Sequence, residues 1–316
     1  MPGILMHSTV LVAFFEFSRT AVSMSSAGVV LFLVALWAVK IDLVRASGLD
    51  KFVALGNLCF ALPLAAFGAE HLSAAQGIQR AVPSFVPWHL FWAYFVGFAL
   101  IAASLSIATK IRVRWSGLLF GIMMFLFVAM MDIPGALADR GNRIEWTLLL
   151  RELAFGGGGW LLAAAAIREQ SNDQGGEQSQ KQGVRALITV GRVLVGIAAT
   201  FYGVETILHP LGMPGVPLEK LMPVWIPGRL LIGYLTGAIL FVAGIGILLT
   251  KKPRMAATYL GTWIVLLVVV VYGPVLISSL ADPSTDVKVE GLNYFFDTLL
   301  FGGATLALAS ATPRTE

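Results

Sequence analysis

Nine stretches of about 20 residues, each almost free of charge, recur along this 316-residue chain. They fall at roughly 27–46, 51–72, 87–109, 115–134, 147–167, 186–208, 227–249, 255–277 and 293–311. An α-helix of that length crosses the ~30 Å hydrocarbon layer of a bilayer. In lipid every backbone N–H and C=O must find its partner within the chain, which leaves helices or closed barrels. A barrel would alternate apolar and polar residues in short segments, and these runs are continuous. The chain is therefore predicted to be an all-α, polytopic transmembrane helical bundle. Its 13% of charged residues agrees, since soluble domains carry about 25%. The apolar stretch from Ile4 to Phe15 is too short to span and is expected to be interfacial, or an upstream extension before Met24.

The formal charge of +4 does not point to nucleic acid, because Lys and Arg sit in short loops between the spans. Lys40, Arg45 and Lys51, then Lys110, Arg112 and Arg114, then Arg168, Lys181 and Arg185, then Lys251, Lys252 and Arg254 all fall on one side. By the positive-inside rule that side is cytoplasmic, which puts the N-terminus outside and the C-terminus inside. Cys59 is the single cysteine, so one chain can build neither an internal disulfide nor a thiolate metal cage.

Glu169 to Gln182 has the Gln, Ser and Gly composition of a flexible linker and divides the chain into halves. Written one above the other, the halves match. Phe67-Gly68-Ala69-Glu70 pairs with Tyr202-Gly203-Val204-Glu205, and Gly56 with Gly191 at the same offset. After a small insertion, Pro83 and Pro87 pair with Pro223 and Pro227, Tyr94 with Tyr234, Gly97 with Gly237, Gly121 with Gly261 and Pro134 with Pro274. Near the end Phe155-Gly156-Gly157 pairs with Phe301-Gly302-Gly303. Two parallel four-helix repeats follow from this, at 49–168 and 186–312. They are joined by a cytoplasmic linker at 169–185 and preceded by an extra N-terminal transmembrane helix within 1–48.

Ionisable residues inside an apolar run are costly and are candidate site residues for that reason. Glu70 and Glu205 hold equivalent places near the outer ends of their helices, as ligand groups or as carboxylates solvated at headgroup level. Arg151 and Glu152 lie about one turn into a span, Asp297 stands where the second half matches Arg151, and Arg229 is expected beside Asp297 and Glu205. Ion pairing would make their burial tolerable, and a headgroup-binding or proton-relaying site is the functional alternative. No charge is expected near the bilayer midplane, which counts against a transporter.

His71, His89 and His209 map to the outer side, as interfacial polar residues or as ligand contacts. Their spacing builds no metal or haem site, and no nucleotide motif occurs. Pro83, Pro87, Pro223 and Pro227 make rigid helix entries beside Trp88, Trp92 and Trp225, an aromatic belt or an apolar lid. Gly68, Gly203, Gly156, Gly157, Gly302 and Gly303 permit close helix packing.

On the Phe/Tyr-Gly-x-Glu, Pro-x-x-x-Pro, Tyr-x-x-Gly and Phe-Gly-Gly motifs, each half resembles the DoxX/DoxD-like family of small four-helix membrane proteins. The resemblance covers residues 50–312. It implies a bacterial inner-membrane protein that serves as a membrane subunit or a quinone- or small-lipid-binding module, with a redox partner subunit and membrane lipid around it. A transporter and a structural scaffold are the alternatives. A lateral apolar opening beside Glu70 or Glu205 would favour quinone, and a water-filled cavity reaching midplane would favour transport.

Overall fold

Continuous apolar runs become long helices, because a helix alone satisfies its own backbone without water. The computed structural model describes residues 3–174, 178–250 and 252–313, with side chains described at 19–170, 181–250 and 252–313. The elements begin with α1 (Gly3–Arg45), the short α2 (Asp50–Ala54), α3 (Gly56–Ser73) and α4 (Ala75–Ile78). They continue through α5 (His89–Ala108), α6 (Val113–Phe127), α7 (Ile133–Ala138) and α8 (Arg143–Gln174). After these come α9 (Gln178–Leu208), α10 (Arg229–Leu249), α11 (Pro253–Leu267), α12 (Gly273–Ala281) and α13 (Thr285–Ala311). Eight segments among the described residues are long and apolar enough to cross a membrane, and nine if the bent pair of α3 and Ala75–Ala81 counts as one. The chain is a multi-pass membrane protein.

Three sequence expectations change. The stretch 4–15 is not separate from the first span, because one helix runs unbroken from Gly3 to Arg45. The segment 169–185 is largely helix: α8 continues to Gln174 and α9 starts at Gln178, and only 175–177 lie outside the described residues. Its Gln, Glu and Lys residues are good helix formers, so the helices extend beyond their apolar runs. The run 51–72 is not one helix. It breaks at Leu55, and after Ser73 the chain turns through 84° into Ala75–Ala81.

The centre of the bundle is α13, with 89% of its most apolar window buried, against 22% for the peripheral α1. It packs on α3, α8 and α11, while α8 packs on α6 and α9, α3 on α1 and α5, and α9 on α10. Glycines let these backbones approach. A Cβ on Gly303 would lie 2.7 Å from the Phe60 backbone nitrogen, and one on Gly203 would lie 2.4 Å from that of Phe241. The remaining motif glycines are also at contacts: Gly68 on Ile101 and Gly97, Gly156 on Phe125, Gly157 on Gly191 and Gly302 on Ile264.

Local irregularities recur at the offset that pairs Tyr94 with Tyr234. Pro134 and Pro274 each follow a π-helical turn, Val128–Asp132 and Val268–Tyr272, where the missing N–H and the proline ring widen the helix. Trp88 and Gly228, at the same spacing, both cap their helices in the left-handed region, with φ of 59° and 66°.

Arginines close the end of the bundle that carries the basic loops. Arg192 donates to the carbonyls of Ile247, Leu248 and Thr250, and Arg254 donates to the Asp50 carboxylate at 2.8 Å. That end is called the basic end below.

Candidate functional site

Residues four apart share a helix face, so Arg143, Thr147 and Arg151 form one stripe on α8, and Tyr202, Glu205, Thr206 and His209 form one on α9. The two stripes meet in the half of the bundle away from the basic end. Arg143 Nη1 lies 3.4 Å from Glu205 Oε2, His209 Nε2 lies 3.8 Å from the same oxygen, and the Tyr202 hydroxyl donates to the Thr147 carbonyl at 3.2 Å. One turn deeper, Arg151 bridges two carboxylates. Nη1 donates to Asp297 Oδ2 at 2.8 Å, while Nη2 and Nε donate to Glu152 Oε1 at 2.8 and 3.2 Å. Across α13, Asn293 Nδ2 donates to Glu70 Oε1 at 3.1 Å.

These groups form neighbouring polar clusters that link α8 to α9, α8 to α13 and α3 to α13. Side-chain exposure falls across them from 51% at His209, through 12% at Glu205, to 9% at Asp297. Beyond Asp297 the interior is apolar: the Tyr202 ring packs edge-on against Phe301, and Phe301, Phe60 and Leu161 are fully buried. The polar groups therefore run inward from one end and stop at this apolar layer. They nevertheless reach the middle of the 27-residue α13, where no charge is expected from the sequence. Asp297 lies about 18 Å along α13 from Thr285, because that helix starts before its apolar run.

Arg229 does not join the carboxylates; its guanidinium donates to the Met222 carbonyl at 3.3 Å. Arg143, not singled out from sequence, faces Glu205 instead. Asn293 and Asp132 were missed as well. Asp132 carried the clearest signal, a lone carboxylate within an apolar run. It sits in the first π-turn with Oδ2 buried and unpartnered among the described residues, as are the Thr147 and Thr206 hydroxyls. His89 opens α5, half-buried. Pro87 accepts from the Trp92 indole at 3.0 Å, Pro223 accepts from the Ile226 amide at 3.1 Å, and Pro227 precedes the left-handed Gly228.

His71 faces away from these clusters. Its Nδ1 hydrogen bonds the Phe67 carbonyl at 2.9 Å, which leaves Nε2 free for another partner. The ring borders a cleft of about 670 Å³ between α5 and α6, roofed by the turned segment after α3 through Ile78, Val82, Pro83 and Val86. The walls are otherwise almost wholly apolar, among them Trp92, Val96, Ala103, Phe120, Met123 and Phe127. The cleft runs from Trp92 to Ala103 along α5, about 16 Å of helix, and Leu119, Ile122 and Leu126 on its rim are exposed.

No family model, curated protein or solved structure matches this chain.

Its chemistry is accordingly read from these residues alone. Among the described residues no group of three or more His, Cys, Asp or Glu is placed to hold a metal ion. The cleft fits a different kind of guest. A flat ring with hydrogen-bonding oxygens could meet His71, and an apolar tail could lie along α5 and α6. The carboxylates Glu152, Glu205 and Asp297, by contrast, are engaged in ion pairs within the chain.

Proposed function

We propose that this chain is a tandem pair of DoxX-like four-helix units that holds one quinone-class or similar single-tailed lipid in the α5/α6 cleft. It would act as a membrane module of a redox system in a bacterial inner membrane, with its basic end in the cytoplasm. The observation that carries the reading is the cleft itself, long, apolar and bordered by one histidine, His71. The matching π-turns and left-handed helix caps support the tandem unit.

Lipid tails are as apolar as leucine, so the hydrophobic effect does not draw a tail out of the bilayer into this cleft. Selection must come from filling the space closely and from a hydrogen bond to His71, which is stronger in a low-dielectric setting than in water. A ligand with a polar ring and a chain meets both demands. Transport draws less support, because the polar groups end against Phe301 and Phe60.

The test is to purify the protein in mild detergent, extract it with organic solvent and identify bound lipid by mass spectrometry. The wild type is expected to yield a stoichiometric quinone-class lipid. His71→Leu should reduce it several-fold, and Ala103→Phe, which fills the cleft, should abolish it. Ala243→Phe, at the matching place in the second half, should leave it unchanged. Only bulk phospholipid in every sample would overturn the reading.

A further inference from the structure

The matching interface in the second half, between α10 and α11, has the same design but different contents. At the offset pairing Tyr94 with Tyr234, the cleft residues Val96 and Met123 correspond to Thr236 and Trp263. There the Trp263 indole Nε1 donates to the Thr236 hydroxyl at 3.2 Å, spanning the two helices, and Thr236 is fully buried.

The preceding loop adds two further fillings. It is longer than its counterpart and is held as a hairpin by Met213 N to Lys220 O and Met222 N to Leu211 O, both 2.8 Å. Its Pro210 carbonyl presses on Gly233, where a Cβ would come within 2.0 Å of the oxygen; the matching residue in the first half, Ala93, lines the open cleft. Met213 and Val216 are buried at 1% exposure, and the Tyr272 hydroxyl holds the intervening Pro214 carbonyl at 2.7 Å. Gly215, at φ +114°, lies near Leu267, the counterpart of the cleft residue Phe127.

We propose that the α10/α11 interface is a second lipid cleft of the same class, occupied by the chain's own Trp263 and latched shut by the Trp263–Thr236 hydrogen bond. This rests on the reading of the α5/α6 cleft as a ligand site, and it assigns one ligand to each chain although two sites are built. The latch is a single neutral hydrogen bond, and such bonds between membrane helices are individually weak. Closure therefore depends mainly on the bulk of the indole and the loop behind it.

The experiment exchanges the two pairs. Trp263→Met with Thr236→Val gives the second interface the residues of the first, and Met123→Trp with Val96→Thr does the reverse. Each protein is placed in phosphatidylcholine nanodiscs with decylubiquinone, and bound copies are counted by native mass spectrometry. One copy is expected on the wild type, two on the first double variant and none on the second. The near-isosteric Thr236→Val alone removes the latch but keeps the indole and the loop in place, and should leave the count at one. One copy on the wild type and still one on Trp263→Met with Thr236→Val would overturn the second cleft while leaving the first in place. No copy on the wild type would overturn the underlying reading, and this inference with it.

Discussion

The two halves of this protein share a plan and differ in what fills it. In the first half a short roof segment covers the α5/α6 interface, and Met123 and Val96 line an open cleft. In the second, a longer loop and a Trp263–Thr236 bridge fill the corresponding place. The same divergence appears in the polar clusters. Arg151 in one half meets Asp297, its positional counterpart, so the two units are held together by residues that can no longer be alike. Two identical arginines or two identical aspartates would face each other as like charges, which a low-dielectric interior penalises heavily.

That comparison can be broken most directly at Arg151. Arg151→Leu strands Asp297 and Glu152 without their cation and should lower stability by about 3–5 kcal/mol, read as an early thermal transition in detergent. The exchange Arg151→Asp with Asp297→Arg should recover most of the loss. If it recovers none, the two positions are not equivalent in space.

Smaller effects should separate the equivalent glycines. Gly303→Ala would drive a Cβ to 2.7 Å from the Phe60 backbone nitrogen, whereas Gly157→Ala would meet Gly191 and Leu194 at 3.2 Å. Overpacking of the first kind typically costs about 1–3 kcal/mol, and the second should cost clearly less. Equal losses in thermal stability would show that the two helix crossings are equally tight.

The least effect is expected at the paired glutamates. Glu205 has a partly exposed arginine, Arg143, with 33% side-chain exposure, so Glu205→Gln should cost less than about 1 kcal/mol. Molar salt should shrink that difference by screening the pair. Glu70→Gln retains a hydrogen-bond acceptor for the Asn293 amide and should respond to salt hardly at all. A salt dependence at Glu70 as large as that at Glu205 would contradict the separate partners seen here.

Much of the candidate site could be read from sequence as residues, and little of it as contacts. Glu70, Arg151, Glu152, Glu205 and Asp297 were visible because each is a charge in an apolar run. Their partners were not. Arg143 lies before the predicted span 147–167 and Asn293 is the first residue of the span 293–311, edges where polar residues attract no notice. The cleft was invisible for another reason. Its walls are alanines, valines, methionines and aromatics that look the same whether they face lipid, protein or an empty groove.

That distinction marks the boundary between the two levels of information. The sequence by itself determined the all-α membrane-spanning class, the places where helices turn back, the proline-linked irregularities and the internal match between halves. All of these depend on local composition or on identity at a fixed offset, and the cost of unsatisfied backbone in lipid translates them into structure. Tertiary structure alone decided that Arg151 reaches Asp297 rather than leaving it to Arg229, that α13 becomes the central helix, and that one cleft is open while its counterpart is filled. A soluble helix shows its buried face through a polar and an apolar side. A membrane helix is apolar all round, so the choice of which face meets which neighbour is left to shape: the glycines where backbones meet, and the bulk of a single indole.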